Sequence, residues 1–285
     1  MDYAILKNEK IAEICYRLTL DISKDFHLPI PGQFYNIRCT DTKDPLLRRP
    51  FSMHRVVEEN GLLCLQILYR VIGKGTQWLS TRKPGDALDL IGPLGNGFLI
   101  ETRKDVVLAA RGIGIAPLFA VAEAVHRAAP ASRLHILMGA KLKDRVFYRE
   151  ELERLGNLYL YTDDGSLGFR GRAPELLVHL LETGKIPQPC TLYACGPASM
   201  LMELCTLSEH FGFEGQVALE THMGCGFGAC LSCAIPLQIS SIKQTPVWTK
   251  PALQWSEDGD KCYSLICKDG PIYDIREVDW HEWLA

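Results

Sequence analysis

The sequence predicts a mixed β and α/β protein in three parts. An antiparallel β-barrel comes first, a five-stranded parallel α/β unit follows, and a small cysteine-bearing segment ends the chain. Three observations predict this. Short alternating runs divided by Pro and Gly turns fill the first hundred residues. Strand and helix patterns then alternate from Asp105 onward. Finally, Cys225-x4-Cys230-x2-Cys233 is followed at a distance by Cys267. The boundaries expected are 1–100, 101–219 and 220–285.

The barrel rests on the runs Ala4–Cys15, Tyr16–Ile22, Gln33–Cys39, Leu62–Tyr69 and Ala87–Ile91. Turns such as Pro29-Ile30-Pro31-Gly32 and Pro84-Gly85-Asp86 separate them. Alternation sends successive side chains to opposite faces, and several strands at this spacing suggest a small closed sheet. A single helix, Thr76–Arg82, follows a glycine pair. In the second part the strands are Val106–Ala110, Leu134–Met138, Leu158–Tyr161, Thr191–Ala194 and Gln216–Leu219. The helices between them are Pro117–Ala128, Tyr148–Leu155, Pro174–Glu182 and Ala198–Phe211. That alternation is the pattern of a parallel sheet covered on both faces.

The composition is that of an ordinary globular enzyme, with 47% hydrophobic and 23% charged residues. A formal net charge of −3 carries no basic excess, so nucleic acid is not an expected partner. No apolar run reaches the length of a membrane span, and no signal-peptide pattern is visible. Eleven cysteines in a chain of this length are better read as reduced thiols of the cytoplasm than as a disulfide framework.

The cysteine spacing carries the most chemistry. Two irons bridged by sulfide need four thiolates from a tight loop and one remote segment, and C-x4-C-x2-C with a distant fourth is the plant-type [2Fe–2S] arrangement. Glycines between the thiols let the backbone wrap the cluster and aim N–H groups at sulfur. A structural zinc site or buried free thiols are the alternatives. In the barrel, Arg48-Arg49-Pro50-Phe51-Ser52 offers cations for phosphate, an aromatic face for a planar ring and a hydroxyl for a ring nitrogen. Gly73-Lys74-Gly75-Thr76 opens the only barrel helix, where free N–H groups favour phosphate. Together these suit FAD. In the α/β part, Gly112-x-Gly114-x-Ala116-Pro117 joins the first strand to the first helix, as a pyrophosphate-binding loop does. Cys195-Gly196-Pro197 and Thr162-Asp163-Asp164-Gly165 end later strands on the same sheet edge. There Cys195 can flank a nicotinamide and Asp163 a ribose. Paired carboxylates repel a 2′-phosphate, which favours NAD over NADP.

These motifs, with Gly92-Pro93-Leu94-Gly95-Asn96-Gly97-Phe98 between them, occur in an order that resembles the ferredoxin-NADP reductase superfamily. Within it, the chain is most similar to the electron-transfer subunits of class 1B dihydroorotate dehydrogenases. The cysteine loop and Cys267-Lys268-Asp269-Gly270-Pro271 are the most specific part of the likeness. The resemblance implies FAD in the barrel, NAD in the α/β domain and a [2Fe–2S] cluster facing an FMN-containing catalytic subunit. Two copies of each chain would form a heterotetramer serving pyrimidine biosynthesis. It also implies that Arg49 contacts the FAD phosphates and Ser52 the flavin near N5, with Phe51 where many relatives have tyrosine. No acid–base dyad is expected. The chain departs from the family in the long connection Ala234–Ile266, which contains Ile242–Trp255 and makes Cys262 a rival fourth ligand. The competing functions are a ferredoxin- or sulfide-linked oxidoreductase subunit, an oxygenase reductase, or a non-catalytic zinc- or nucleotide-binding redox sensor.

Overall fold

A computed structural model of the chain describes residues 2–25, 27–130, 133–242 and 253–285. Six antiparallel strands close into a barrel: β1 (Asp2–Lys10), β2 (Cys15–Asp21), β3 (Phe34–Ile37), β4 (Arg49–Glu59), β5 (Leu62–Arg70) and β6 (Ala87–Leu94). Their order around the barrel is β1-β2-β5-β4-β3-β6, with β1 pairing both β2 and β6. Inward-facing Leu18, Leu20, Tyr35, Ile37, Leu65 and Ile67 fill the interior at period two. Helix α1 (Lys74–Ser80) covers one end.

The strand β4 is absent from the runs read in the sequence, because Arg48-Arg49-Pro50 interrupts any alternation. Its first four residues pair only with β3, with Asn36 opposite Pro50 and Phe34 opposite Ser52. Pairing with β5 begins at Met53. Proline has no N–H to donate, so it suits a stretch whose second edge is open. That open edge becomes one wall of a cleft.

The second layer is a sheet of seven strands in the order β10-β9-β8-β7-β11-β12-β16. The five expected parallel strands are β7 (Asp105–Arg111), β8 (Leu134–Ala140), β9 (Asn157–Thr162), β11 (Cys190–Cys195) and β12 (Glu214–Ala218). Two short strands extend them: β10 (Phe169–Arg170), parallel to β9, and β16 (Ile272–Asp274), antiparallel to β12. Helices α2 (Ile115–Ala128) and α3 (Arg149–Leu155) pack on one face of the sheet. The other face is covered by α4 (Ala173–Glu182) and α5 (Ala198–Phe211).

The C-terminal part adds a three-stranded sheet of β13 (Ala234–Leu237), β14 (Gln254–Trp255) and β15 (Cys262–Leu265). Short helices α6 (Ile239–Ile242), α7 (Ile266–Asp269) and α8 (Trp280–Leu284) accompany it. Residues 243–252, most of the unusual stretch Ile242–Trp255, lie outside the described residues. This part shares the core of the α/β layer: Ile235, Leu265, Cys267, Tyr273 and Trp280 pack with Leu192, Leu204 and Val217.

The barrel meets the α/β layer through β4 and α2. His54 is fully buried there, its ring 4.9 Å from Phe119 and 5.1 Å from Tyr148. Its Nδ1 lies 3.0 Å from the Ala116 carbonyl oxygen. A carbonyl only accepts, so Nδ1 carries a proton and donates it. Next to it, Arg55 pairs with Glu123 and covers the Phe119 ring. Burial lowers the His54 pKa from 6.5 to about 3, with Arg55 and Arg17 adding to the effect and the Ala116 bond opposing it.

A depressed folded-state pKa makes this histidine a pH liability. The unfolded chain takes up a proton below about pH 6.5 that the folded chain refuses, so its share of stability is complete above that pH and drains away toward pH 3. Between pH 7 and 5 the loss is on the order of 2 kcal/mol. Replacing His54 by Phe should therefore flatten the fall of Tm over that interval relative to the unaltered chain. Equal slopes would show that the ring is protonated in the fold.

Candidate functional site

The open edge of β4 forms one side of a cleft of about 440 Å³. The structure brings Arg49, Pro50, Phe51 and Ser52 together with Gly73, Gly75 and Thr76 on its walls. Of the two adjacent arginines only Arg49 lines it; Arg48 is turned away and ion-paired with Asp89 on β6. Arg49 is held in place by its Nη1, which donates to the Leu47 carbonyl at 2.7 Å. Phe51 meets Tyr69 edge to face at 5.9 Å. The Thr76 hydroxyl serves its own turn, accepting from the N–H groups of Ile72 and Gly73 and donating to the Gly73 carbonyl.

A second cavity, about 450 Å³, opens at the carboxyl ends of β7, β8 and β11 and contains Gly112, Gly114, Cys195 and Gly196. The two glycines of its loop differ in kind. Gly112 has φ +56 and nothing within 4 Å of where a Cβ would stand. At Gly114 a Cβ would lie 2.1 Å from the Cys195 carbonyl oxygen, so this residue lets the loop lie on the end of β11. Cys195 is 1% exposed, and burial pushes its thiol well above the ordinary value. It is a protonated thiol packed under the cavity. Asp163 is absent from the cavity lining; its Oδ2 accepts from Arg111 at 2.6 Å. Asp164 is occupied by Ser166.

The two cavities meet. Arg70, Ile113 and Glu220 line both. Glu220 is exposed to the cavities, and the protein crowding its carboxyl desolvates it and raises its pKa, with Arg70 opposing. Neither residue is part of a motif; only the fold places the end of β5 beside the end of the sheet.

From Glu220 the chain runs along the first cleft through His222 and Met223 straight into the cysteine loop. The loop turns on Gly226 (φ +83) and Gly228 (φ +89), and on Leu231, which holds φ +60 without being glycine. Its N–H groups face sulfur: Ala229 donates to Cys225 Sγ and Cys225 to Cys230 Sγ, both at 3.3 Å. The Ser232 hydroxyl, then its N–H and that of Cys225, pull the Cys230 thiol down to about 6. Cys233 and Cys267 are buried with their sulfurs 3.2 Å apart, so Cys233 is lowered and Cys267 raised as the pair shares a proton.

Cys267 reaches this position through a braced turn. Asp269, fully buried, accepts from Ser264 Oγ and from the Leu265 N–H. From the barrel, Asn96 donates its backbone N–H to the Gly270 carbonyl and its Nδ2 to the Asp269 carbonyl. The Gly92–Phe98 motif thus grips the remote cysteine segment. Cys262 sits at the far end of β15, buried and paired in register with Leu237 and Trp255. Among the described residues no three His, Cys, Asp or Glu side chains group as one metal ion requires. Two thiol pairs edged by N–H donors suit a dinuclear cluster better than tetrahedral zinc.

The loop geometry yields a paired prediction. Gly114→Ala drives a methyl into backbone and should lower Tm markedly. Gly112→Ala adds only left-handed strain of about 1–2 kcal/mol and should leave the fold largely intact while weakening NADH. Thermal melts and NADH titrations of both variants check this. A Gly114→Ala protein as stable as the unaltered chain would contradict the packing described.

Three stretches of the chain match known protein families. Residues 3–98 match the "Oxidoreductase FAD-binding domain", residues 108–206 the "Oxidoreductase NAD-binding domain", and residues 220–245 the "Iron-sulfur cluster binding domain of dihydroorotate dehydrogenase B". The chain is 37% identical to the "Dihydroorotate dehydrogenase B (NAD(+)), electron transfer subunit" of Desulforamulus reducens, covering 98% of both chains. It is 33% identical to the protein of that name from Bacillus cereus, covering 96% of both. Among solved structures, the NADH-dependent reduced ferredoxin-NADP oxidoreductase described for flavin-based electron bifurcation superposes with TM-score 0.77 at 28% identity. That match covers 99% of this chain and 91% of the other. A ferredoxin NADP+ reductase from Neisseria gonorrhoeae shares the fold, with TM-score 0.62 at 18% identity over 74% of this chain and 91% of that one. Likeness at this identity over nearly the whole length, together with the cluster domain, places the chain in the family of electron-transfer subunits of dihydroorotate dehydrogenase B.

Proposed function

We propose that this chain carries electrons between a catalytic dihydroorotate dehydrogenase subunit and NAD, with the residues of the two cavities and the cysteine loop as its working parts. The observation that carries the reading is continuity. One cleft is walled by the Arg49–Ser52 strand, by Ile113 of the nucleotide loop, and by Thr221–Met223 and Pro271, which flank the two cysteine segments. A flavin there would touch both neighbours. When bound, FAD exchanges a hydride with NAD and single electrons with the iron–sulfur cluster, which is why the two kinds of carrier belong side by side.

The chain's own residues bind and orient. Arg49 offers its guanidinium to the FAD phosphates, Phe51 and Tyr69 form an aromatic wall, and Ser52 presents a hydroxyl at the ring. Gly112 leaves room for a pyrophosphate over the second cavity. Cys225, Cys230, Cys233 and Cys267 supply the four thiolates, and the N–H groups of the loop stabilise charge on sulfur. Asp163, held by Arg111, orients that arginine at the cavity mouth. Phe227 and Leu231, about half exposed, stand on the cluster loop where the catalytic subunit would sit, in a complex of two chains of each kind. No described helix is long and apolar enough to cross a membrane. We place the protein in the cytoplasm, where its thiols stay reduced. A ferredoxin-type partner is the second reading, favoured by the full-length structural likeness to the ferredoxin-NADP oxidoreductase.

The test is purification with the native partner followed by assay. Bound flavin and iron, and NAD reduction that requires both dihydroorotate and the partner, are expected. A colourless zinc protein, or reduction driven only by ferredoxin, would refute the dehydrogenase reading.

Two variant sets address the residues. Arg49→Ala removes a charge-assisted contact worth roughly 1.5–3 kcal/mol, so the protein should purify with markedly less flavin but a full complement of iron. Full flavin occupancy would remove Arg49 from the site. Cys267→Ser should lose or strongly perturb the paramagnetic resonance signal of the reduced cluster, whereas Cys262→Ser should leave signal and iron content alone. The reverse result would exchange their roles.

A further inference from the structure

Asn36 lies on β3, opposite Pro50 of the flavin-side strand, and is 1% exposed. Its neighbours Tyr35 and Ile37 face the barrel interior, so period two turns Asn36 outward, toward the cysteine loop. There its Nδ2 donates to the carbonyl of Cys225 at 3.1 Å, a bond between residues 189 positions apart. The fit is reciprocal. A Cβ at residue 226 would stand 1.7 Å from Asn36 Nδ2, so the loop has glycine where the asparagine presses against it. The other amide atom, Oδ1, is buried with no hydrogen-bond partner among the described residues. A half-satisfied amide in a barrel wall costs free energy that a leucine of similar volume would not.

We propose that Asn36 is a positioning residue: it pins the first cysteine of the cluster loop to the strand beside the flavin cleft and so sets the path between cluster and flavin. The inference rests on the electron-transfer reading above. The connection is short: Asn36 stands in register with Pro50, and its amide bonds the carbonyl of Cys225, the residue whose Sγ is the first thiol of the loop. Among the described residues, no other side-chain hydrogen bond joins the barrel to the Cys225–Cys233 loop.

Asn36→Asp keeps the shape but turns an acceptor toward the Cys225 carbonyl; Asn36→Leu removes the bond without adding charge. Both are compared with the unaltered protein in four measurements: flavin and iron content, reduction of flavin by NADH, onward reduction of the cluster, and amide hydrogen exchange across residues 224–233. Flavin, iron and the NADH step should be unchanged. Cluster reduction should slow roughly tenfold or more, as small misplacements of reacting groups do, and exchange in the loop should rise. Gly226→Ala, which pushes on Asn36 from the loop side, should reproduce the slow step. Cluster reduction and exchange at native levels in both Asn36 variants would overturn the proposal. So would loss of iron from both, since Asn36 would then hold the loop together rather than place it. An unaltered protein that binds no flavin or iron would instead sink the electron-transfer reading itself, and this inference with it.

Discussion

The cluster-bearing segment cannot bury a core of its own, and the rest of the architecture follows from that constraint. A few dozen residues wrapped around thiols enclose too little apolar surface to fold alone. Here the deficit is met by neighbours. Ile272–Asp274 joins the parallel sheet as its last strand, and Tyr273 and Trp280 enter the core beside α5. From the barrel, Asn96 clamps the turn after Cys267. Stability and the placement of the thiols therefore share their contacts: what folds the segment also sets where Cys267 stands.

The same economy governs β4. Its first residues have a free edge and line the cleft; two residues beyond Ser52, His54 and Arg55 lock into α2. Because His54 bonds the carbonyl of Ala116 in the Gly112–Pro117 motif, the strand that lines the first cleft also registers the loop that lines the second cavity. A neutral, unsolvated imidazole is an expensive group for this task. In exchange, it gives a directional bond inside an otherwise apolar interface, which packing alone does not.

Much of this was legible in the sequence because it is local. Cysteine spacing, the strand-to-helix glycine loop and period-two runs are written in neighbouring residues, and helix α5 runs over the span Ala198–Phe211 that its pattern predicts. The missed elements depend on tertiary pairing. Strand β4 is masked by Arg48-Arg49-Pro50, and β16 is only three residues long, meaningful only beside β12. Arg70 and Glu220 look like ordinary surface charges until the fold brings them to one junction. Arg48 and Thr76 show the converse. Each sits in a motif, yet one answers Asp89 and the other caps its own turn, so the motif marks a place rather than a role for every member.

Glycine shows most clearly how motif and role separate. In a nucleotide loop, a glycine is usually credited to the ligand it lets approach. Of the pair here, only Gly112 faces open space; Gly114 is required by the carbonyl of Cys195 behind it. Gly226 repeats the pattern in the cluster loop, where the body pressed against it is Asn36 of the barrel. A side chain at either position would separate two layers before it met any ligand. These glycines therefore act at one remove: they set how closely the Gly112–Pro117 loop lies on the end of β11 and the cysteine loop on β3 of the barrel.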